Sequence, residues 1–211
     1  MKKKYFYRFI KRTFDIFCSI IGIIFLIPLT IIVKLCYMLT GDFKSIFYTQ
    51  DRVGKHGKLI HIFKFRSMIH SEEKKAKLME EALKDPKNKK EWTKYRKLSH
   101  DPRVTGIGKI LRKTSLDEFP QFINIFIGDM SLIGPRPLVE GELDEYNGDH
   151  ELYESIRPGL TGWWGCNGRS DIDYKERLEL EYYYVINCSI WLDIKCIFKT
   201  IASVIRLTGS K

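Results

Sequence analysis

No charged residue occurs between Ile16 and Val33, and few folds can accommodate such a run so near an N-terminus. As a helix rising ~1.5 Å per residue it reaches ~27 Å, close to the thickness of a bilayer's hydrocarbon layer. A cleaved signal peptide is excluded by this length and by the lack of a small-residue cleavage site after it. Two arrangements remain, a helix that spans the bilayer and one that enters and turns back. Pro28 lies inside the run, where it removes an amide donor and costs ~3 kcal/mol in a helix interior. Basic residues flank both ends, Lys2 to Lys4 and Arg12 before, Lys34 and Lys44 after. The positive-inside bias draws both flanks to the cytoplasm. Both details fit re-entry with a break at Pro28. Transmembrane helices also tolerate proline, so the residues alone leave the two readings balanced.

The chain has 211 residues, enough for one domain plus a membrane attachment, which divides it into a segment 1–42 and a domain 43–211. Its 36 Lys and Arg against 26 Asp and Glu call for an anionic partner, whether nucleic acid, phospholipid headgroups or a phosphorylated substrate. Nucleic acid is the weakest of these, because no zinc-finger spacing or RNA-binding signature is present. The five cysteines form no C-x-x-C pair, and their odd number points to a reduced compartment and to no structural zinc site.

Ile46–Gln50 and Leu59–Phe65 read as strands of a hairpin around Gly54 and Gly57. Lys64 on the second strand is either a solvated edge lysine or part of a basic site. Residues 71–97 are charge-dense and read as a solvated helical segment breaking before Pro86. A C-terminal amphipathic helix is expected over 189–207. Its apolar positions Ile190, Trp191, Ile194, Ile197, Phe198, Ile201 and Ile205 suit either a core or a headgroup interface.

The chemistry concentrates between Arg112 and Arg136. Asp117 and Glu118 are adjacent carboxylates with Arg112 before them and Arg136, held between Pro135 and Pro137, after them. Carboxylates beside guanidinium groups suit Mg²⁺ and phosphate together, since the metal offsets the acids and arginine grips phosphate oxygens with a bidentate fork. This reads as phosphoryl transfer. The plainer alternative is a capping box, in which Ser115 starts a helix and Glu118 returns to cap it. Leu116, Phe119, Ile123 and Phe126 would then share that helix's buried face. Neighbouring helical residues point ~100° apart, so one acid faces a substrate while the other holds a metal. Asp129, after Gly128, reads best as a turn residue, and Arg136 has a structural ion pair as its alternative role.

Three ordered motifs carry a wider likeness: S-L-D-E-F-P-Q at 115–121, G-D-M-S-L-I-G-P-R-P at 128–137 and R-P-G-L-T-G at 157–162. Together they resemble the bacterial sugar transferases, also called monotopic phosphoglycosyl transferases, over nearly the whole chain. The resemblance implies a small, helix-rich mixed α/β catalytic domain with a re-entrant membrane helix and interfacial amphipathic helices. It would sit on the cytoplasmic face of a bacterial inner membrane, against phospholipid. The resemblance also implies Asp117 as nucleophile and Glu118 as Mg²⁺ ligand, with Asp117 close enough to share the metal. Lys64, Arg112, Arg136, Arg157 and Arg169 are the implied phosphate or substrate contacts. The implied reaction moves a sugar phosphate from a UDP-sugar, by way of an aspartyl intermediate, to polyprenyl phosphate, in capsule, exopolysaccharide or O-antigen assembly. The 85–105 region resembles the hexose-phosphate subgroup. A homodimer is left open. The competing readings are a sugar-only glycosyltransferase releasing UDP and a non-catalytic adaptor for anionic lipid.

Overall fold

The computed structural model describes residues 2–95, 98–167 and 174–205. Helix α1 (Lys2–Leu39) holds the charge-free run. Asp15, Ser19, Leu26, Val33 and Tyr37 are buried along it. Their spacings of four and seven place them on one stripe. The other faces present Phe17, Ile24, Phe25, Ile31 and Ile32 to the outside.

Helical structure does not stop at the expected break, Pro28, and α1 runs on through it. Leu26 and Val33, on either side of Pro28, belong to one core cluster with Tyr37, Ile46, Phe65 and Leu111. Fully burying each such side chain is favourable by about 1.5–3 kcal/mol, which together exceeds the ~3 kcal/mol proline penalty. Thr30 donates its hydroxyl to the Leu26 carbonyl at 2.7 Å and Ser19 to Ile16 at 2.8 Å. Neither meets the Ile24 carbonyl, whose usual amide partner Pro28 removes.

The expected hairpin forms between β1 (Phe47–Val53) and β2 (Leu59–Phe65), with Phe47 opposite Phe65 and Val53 opposite Leu59. The charged segment becomes α2 (Glu72–Ala82), capped by Ser71, and α3 (Pro86–Tyr95), with the break before Pro86 as expected. Helix α4 (Gly106–Lys113) packs so tightly on the end of β2 that a Cβ at Gly108 would lie 1.9 Å from the Ser67 carbonyl oxygen. Helix α5 (Gln121–Ile127) ends at Gly128, whose φ of 103° is left-handed.

Strand β3 (Ser131–Ile133) pairs in parallel with β4 (Gly159–Thr161). Here the motif glycines find their reason: a Cβ at Gly134, Gly159 or Gly162 would meet backbone atoms at 2.5, 2.1 and 2.1 Å. The G-P-R-P and R-P-G-L-T-G segments therefore touch main chain to main chain.

Short helices α6 (His150–Tyr153) and α7 (Trp163–Asn167) precede α8 (Tyr174–Asn187) and α9 (Ile190–Ile205). The expected C-terminal helix is thus present, and positions 206–207 lie outside the described residues. Helix α9 buries Leu192, Asp193 and Cys196 and exposes Trp191, Phe198 and Ile201, so its apolar surface serves both core and exterior. Asp193 ties α9 to α1, accepting from Tyr7 Oη and Lys11 Nζ, each at 3.0 Å.

Candidate active site

The Asp117–Glu118 pair lies on a 3₁₀ turn (Leu116–Glu118) between α4 and α5. The expected capping box does not form. Ser115 has a left-handed backbone (φ 58°) and makes no side-chain cap. An N-cap needs extended backbone. Pro120 lacks the amide that would carry the helical ladder back to Leu116. Instead Phe119 N–H donates to the Leu116 carbonyl at 3.1 Å, and α5 begins only at Gln121. Of the expected apolar face, Leu116, Phe119 and Ile123 pack against the core and only Phe126 is exposed, while Gln121, Asn124 and Ile125 also turn inward.

Glu118 is therefore free of capping and meets Lys64, whose Nζ lies 3.2 Å from Oε1. Lys64 is no solvated edge residue, since its side chain is three-quarters covered. Asp117 is half-buried beside them. Burial above all, and then the negative charge of Glu118, pushes its carboxyl up to about 6 against the pull of Lys64 and Arg112. A three-residue turn is too short to supply the helix dipole that would hold this carboxylate ionised, and desolvation wins. Asp117 is still mostly ionised at neutral pH. Arg112, on the last turn of α4, is aimed by a 2.9 Å hydrogen bond from Nε to the Ser67 hydroxyl.

The structure thus gathers Asp117, Glu118, Lys64 and Arg112. Arg136 stands elsewhere, and its alternative role is the one observed. Its guanidinium pairs with Glu142 at 3.1 Å, and its amide donates to Glu181 Oε1. Arg177 reaches the same Glu142 oxygen at 3.4 Å, and the charges of Arg52 and Arg136 both act there. Burial raises the Glu142 carboxyl, but these arginines hold it below the usual range. Glu181, almost wholly enclosed, is instead pushed up to about 7 by burial. Arg157 also lies apart, donating from Nε to the Gly128 carbonyl at 2.6 Å. Arg169 lies outside the described residues. Asp129 takes the turn role expected of it, its amide donating to the Asn124 carbonyl at 3.1 Å.

Sequence reading missed Asn124, which aligns the two halves of the site. Fully buried, it donates from Nδ2 to the His61 carbonyl at 2.7 Å and accepts from Phe63 N–H at 3.0 Å. The side chain thus pairs with β2 as a strand would, holding the Asp117 turn against Lys64. A lone amide inside Phe122–Phe126 was the available signal. Asn124→Leu leaves both backbone groups without partners, at about 1–3 kcal/mol each. We expect chemical denaturation to read a loss of about 2–4 kcal/mol, and a loss under about 0.5 kcal/mol, the range of an ordinary surface substitution, would refute the tether.

Adjacent carboxylates suit Mg²⁺, which is commonly bound by one or two protein carboxylates together with substrate phosphates. The mutual repulsion that helps raise Asp117 is what a cation there would relieve.

The sequence matches the bacterial sugar transferase family over residues 6–207. It is 46% identical over 203 residues to the undecaprenyl-phosphate galactose phosphotransferase of Salmonella typhimurium, covering 96% of this chain and 42% of that protein. Identity to the exopolysaccharide production protein ExoY of Sinorhizobium fredii is 42%, over 95% of this chain and 87% of that one. The galactosyl transferase CpsE of Streptococcus agalactiae is 39% identical, over 99% of this chain and 45% of its own length. The chain thus spans less than half the length of several relatives it matches. Its three motifs, the matched span and these identities agree, and the chain belongs to the bacterial sugar transferase family.

Proposed function

We propose that the protein transfers a sugar phosphate from a UDP-sugar to polyprenyl phosphate through a covalent intermediate on Asp117. The observation that carries this reading is the meeting of Asp117, Glu118, Lys64 and Arg112 in one half-buried corner. Family membership and relatives named for undecaprenyl-phosphate sugar transfer support it.

The Asp117 carboxylate attacks the sugar-bearing phosphorus, and the bond from that phosphorus to the bridging oxygen breaks, releasing UMP. The resulting mixed anhydride carries the sugar phosphate. A phosphate oxygen of polyprenyl phosphate then attacks the same phosphorus, freeing the carboxylate and forming polyprenyl-diphospho-sugar. Lys64 and Arg112 offset the charge on the transferred group, positioning and electrostatics being the main resources of phosphoryl transfer. Glu118, steadied by Lys64, is the proposed Mg²⁺ ligand. Bound there, Mg²⁺ would supply charge neutralisation for the diphosphate. Two displacements suit one water-soluble substrate and one lipid, because a covalent carrier lets them visit in turn.

The placement we propose is monotopic, on the cytoplasmic face. Arg12, before the charge-free run, donates to the Ile125 and Phe126 carbonyls, and Tyr37, after it, donates to the Arg66 carbonyl. A helix crossing ~30 Å of hydrocarbon would part its ends across the bilayer, whereas both ends here grip one domain. The outward apolar faces of α1 and α9 would rest in lipid.

With a panel of UDP-sugars, Mg²⁺ and polyprenyl phosphate, the expected nucleotide product is UMP. Release of UDP would favour a sugar-only transferase. Chelating the metal should abolish turnover, and full activity in excess chelator would remove Mg²⁺ from the scheme.

A further inference from the structure

A cleft of about 660 Å³ opens between the N-terminal half of α1, the Ser155–Arg157 loop and the α8–α9 junction. Five cations line it: Arg8, Lys11, Arg12, Lys55 and Arg157. Two are already engaged, Lys11 by Asp193 at 3.0 Å and Arg12 by the carbonyls that end α5. Asp15, the acid in the lining, accepts from the Ser131 hydroxyl and the Leu132 amide at 3.1 and 2.9 Å. Among the described residues no carboxylate pairs with Arg8, Lys55 or Arg157, although the Nε of Arg157 is held by Gly128. Burial first, and then the charges of Arg8 and Arg157, lower the Lys55 ammonium, as expected where cations face one another without a counterion.

The remaining wall is apolar and open to the outside. Phe6, Ile186 and Trp191 are each about two-thirds exposed there, at 66%, 65% and 68%. They continue into the exposed apolar faces of α1 and α9. Uncompensated cations beside exposed apolar side chains complement a molecule with an anionic head and a hydrocarbon tail.

We propose that this cleft holds the headgroup phosphate of an anionic glycerophospholipid, with Arg8, Lys55 and Arg157 around the phosphate and the acyl chains along Phe6, Ile186 and Trp191. The bound lipid does not react. Arg157 and Arg12 sit at the C-terminal end of α5, and Asp117 lies before its N-terminal end, about 10 Å of helix away. An acceptor lipid must instead bring its phosphate into contact with the group on Asp117. The cleft thus acts as a headgroup clamp that fixes how the domain sits on the bilayer.

The test is native mass spectrometry of the purified chain in neutral detergent, titrated with phosphatidylglycerol. One retained lipid is expected, with phosphatidylcholine much weaker. Arg8→Gln combined with Lys55→Gln should weaken retention by roughly fivefold per charge removed. The control pair Lys77→Gln with Lys84→Gln removes the same charge from the exposed faces of the α2 region and should leave retention unchanged. Equal weakening in the control would mean a diffuse charge effect and overturn the site, as would equal retention of phosphatidylcholine. Inorganic phosphate that displaced the lipid at equal concentration would show a free-anion site and overturn the lipid assignment. The readout needs no turnover, so its failure is separable from that of the Asp117 reaction.

Discussion

Asp117→Asn is expected to reduce sugar-phosphate transfer by about 10⁴-fold or more, the loss typical when a covalent nucleophile is removed. The amide matches the carboxylate in shape but is a far poorer nucleophile and cannot form a stable phosphoanhydride. Loss of a charge that burial already disfavours should leave folding intact, so the melting temperature serves as the control. Incubating the wild-type chain with UDP-sugar and Mg²⁺, without lipid, should add one sugar phosphate to its intact mass, and the variant should add none. An adduct on the variant, or turnover within tenfold of wild type, would remove Asp117 from the reaction and leave Glu118 as the acid to examine.

Glu142→Gln is expected to cost about 3 kcal/mol of stability without touching the proposed chemistry. Its carboxylate is the shared counter-charge of Arg136 and Arg177, with Arg52 nearby. Arg52 and Arg177 are each only 8% exposed, and each already has a buried nitrogen without a partner. The glutamine keeps the shape and removes the charge, so the guanidinium groups lose the carboxylate they share. For a chain of this length the loss corresponds to an apparent Tm lower by roughly 6–12 °C. The exposed neighbour Glu140→Gln should melt as wild type does. A Glu142→Gln protein as stable as that control would mean that the cluster is balanced by something other than this carboxylate.

The hairpin, the charged helical segment broken before Pro86 and the C-terminal amphipathic helix were legible because each depends on local pattern or a single breaker. So was the Asp117–Glu118 pair, because contiguous motif residues carry it. Other features depend on contacts far apart in the chain. Leu26 and Val33, on either side of Pro28, share one cluster with Phe65 and Leu111, a long-range packing that no local pattern reports. The role of Arg136 depends on Glu142, six residues on, and on Arg177 and Glu181, which α8 brings back from some forty residues away. Asn124 escaped notice because a buried amide serving a strand edge looks, in sequence, like an ordinary helix residue.

The seam between α1 and the hairpin bears on how such a protein can be handled and recombined. Leu26, Val33 and Tyr37 are interior residues of the same unit that carries the Asp117–Glu118 turn. Trimming the greasy leading segment to obtain a water-soluble fragment would uncover the hydrophobic interior that remains. The apolar helix and the domain bearing the proposed site are one foldable object, so extra modules joined in front of this helix would be tolerated where replacement of the helix would not.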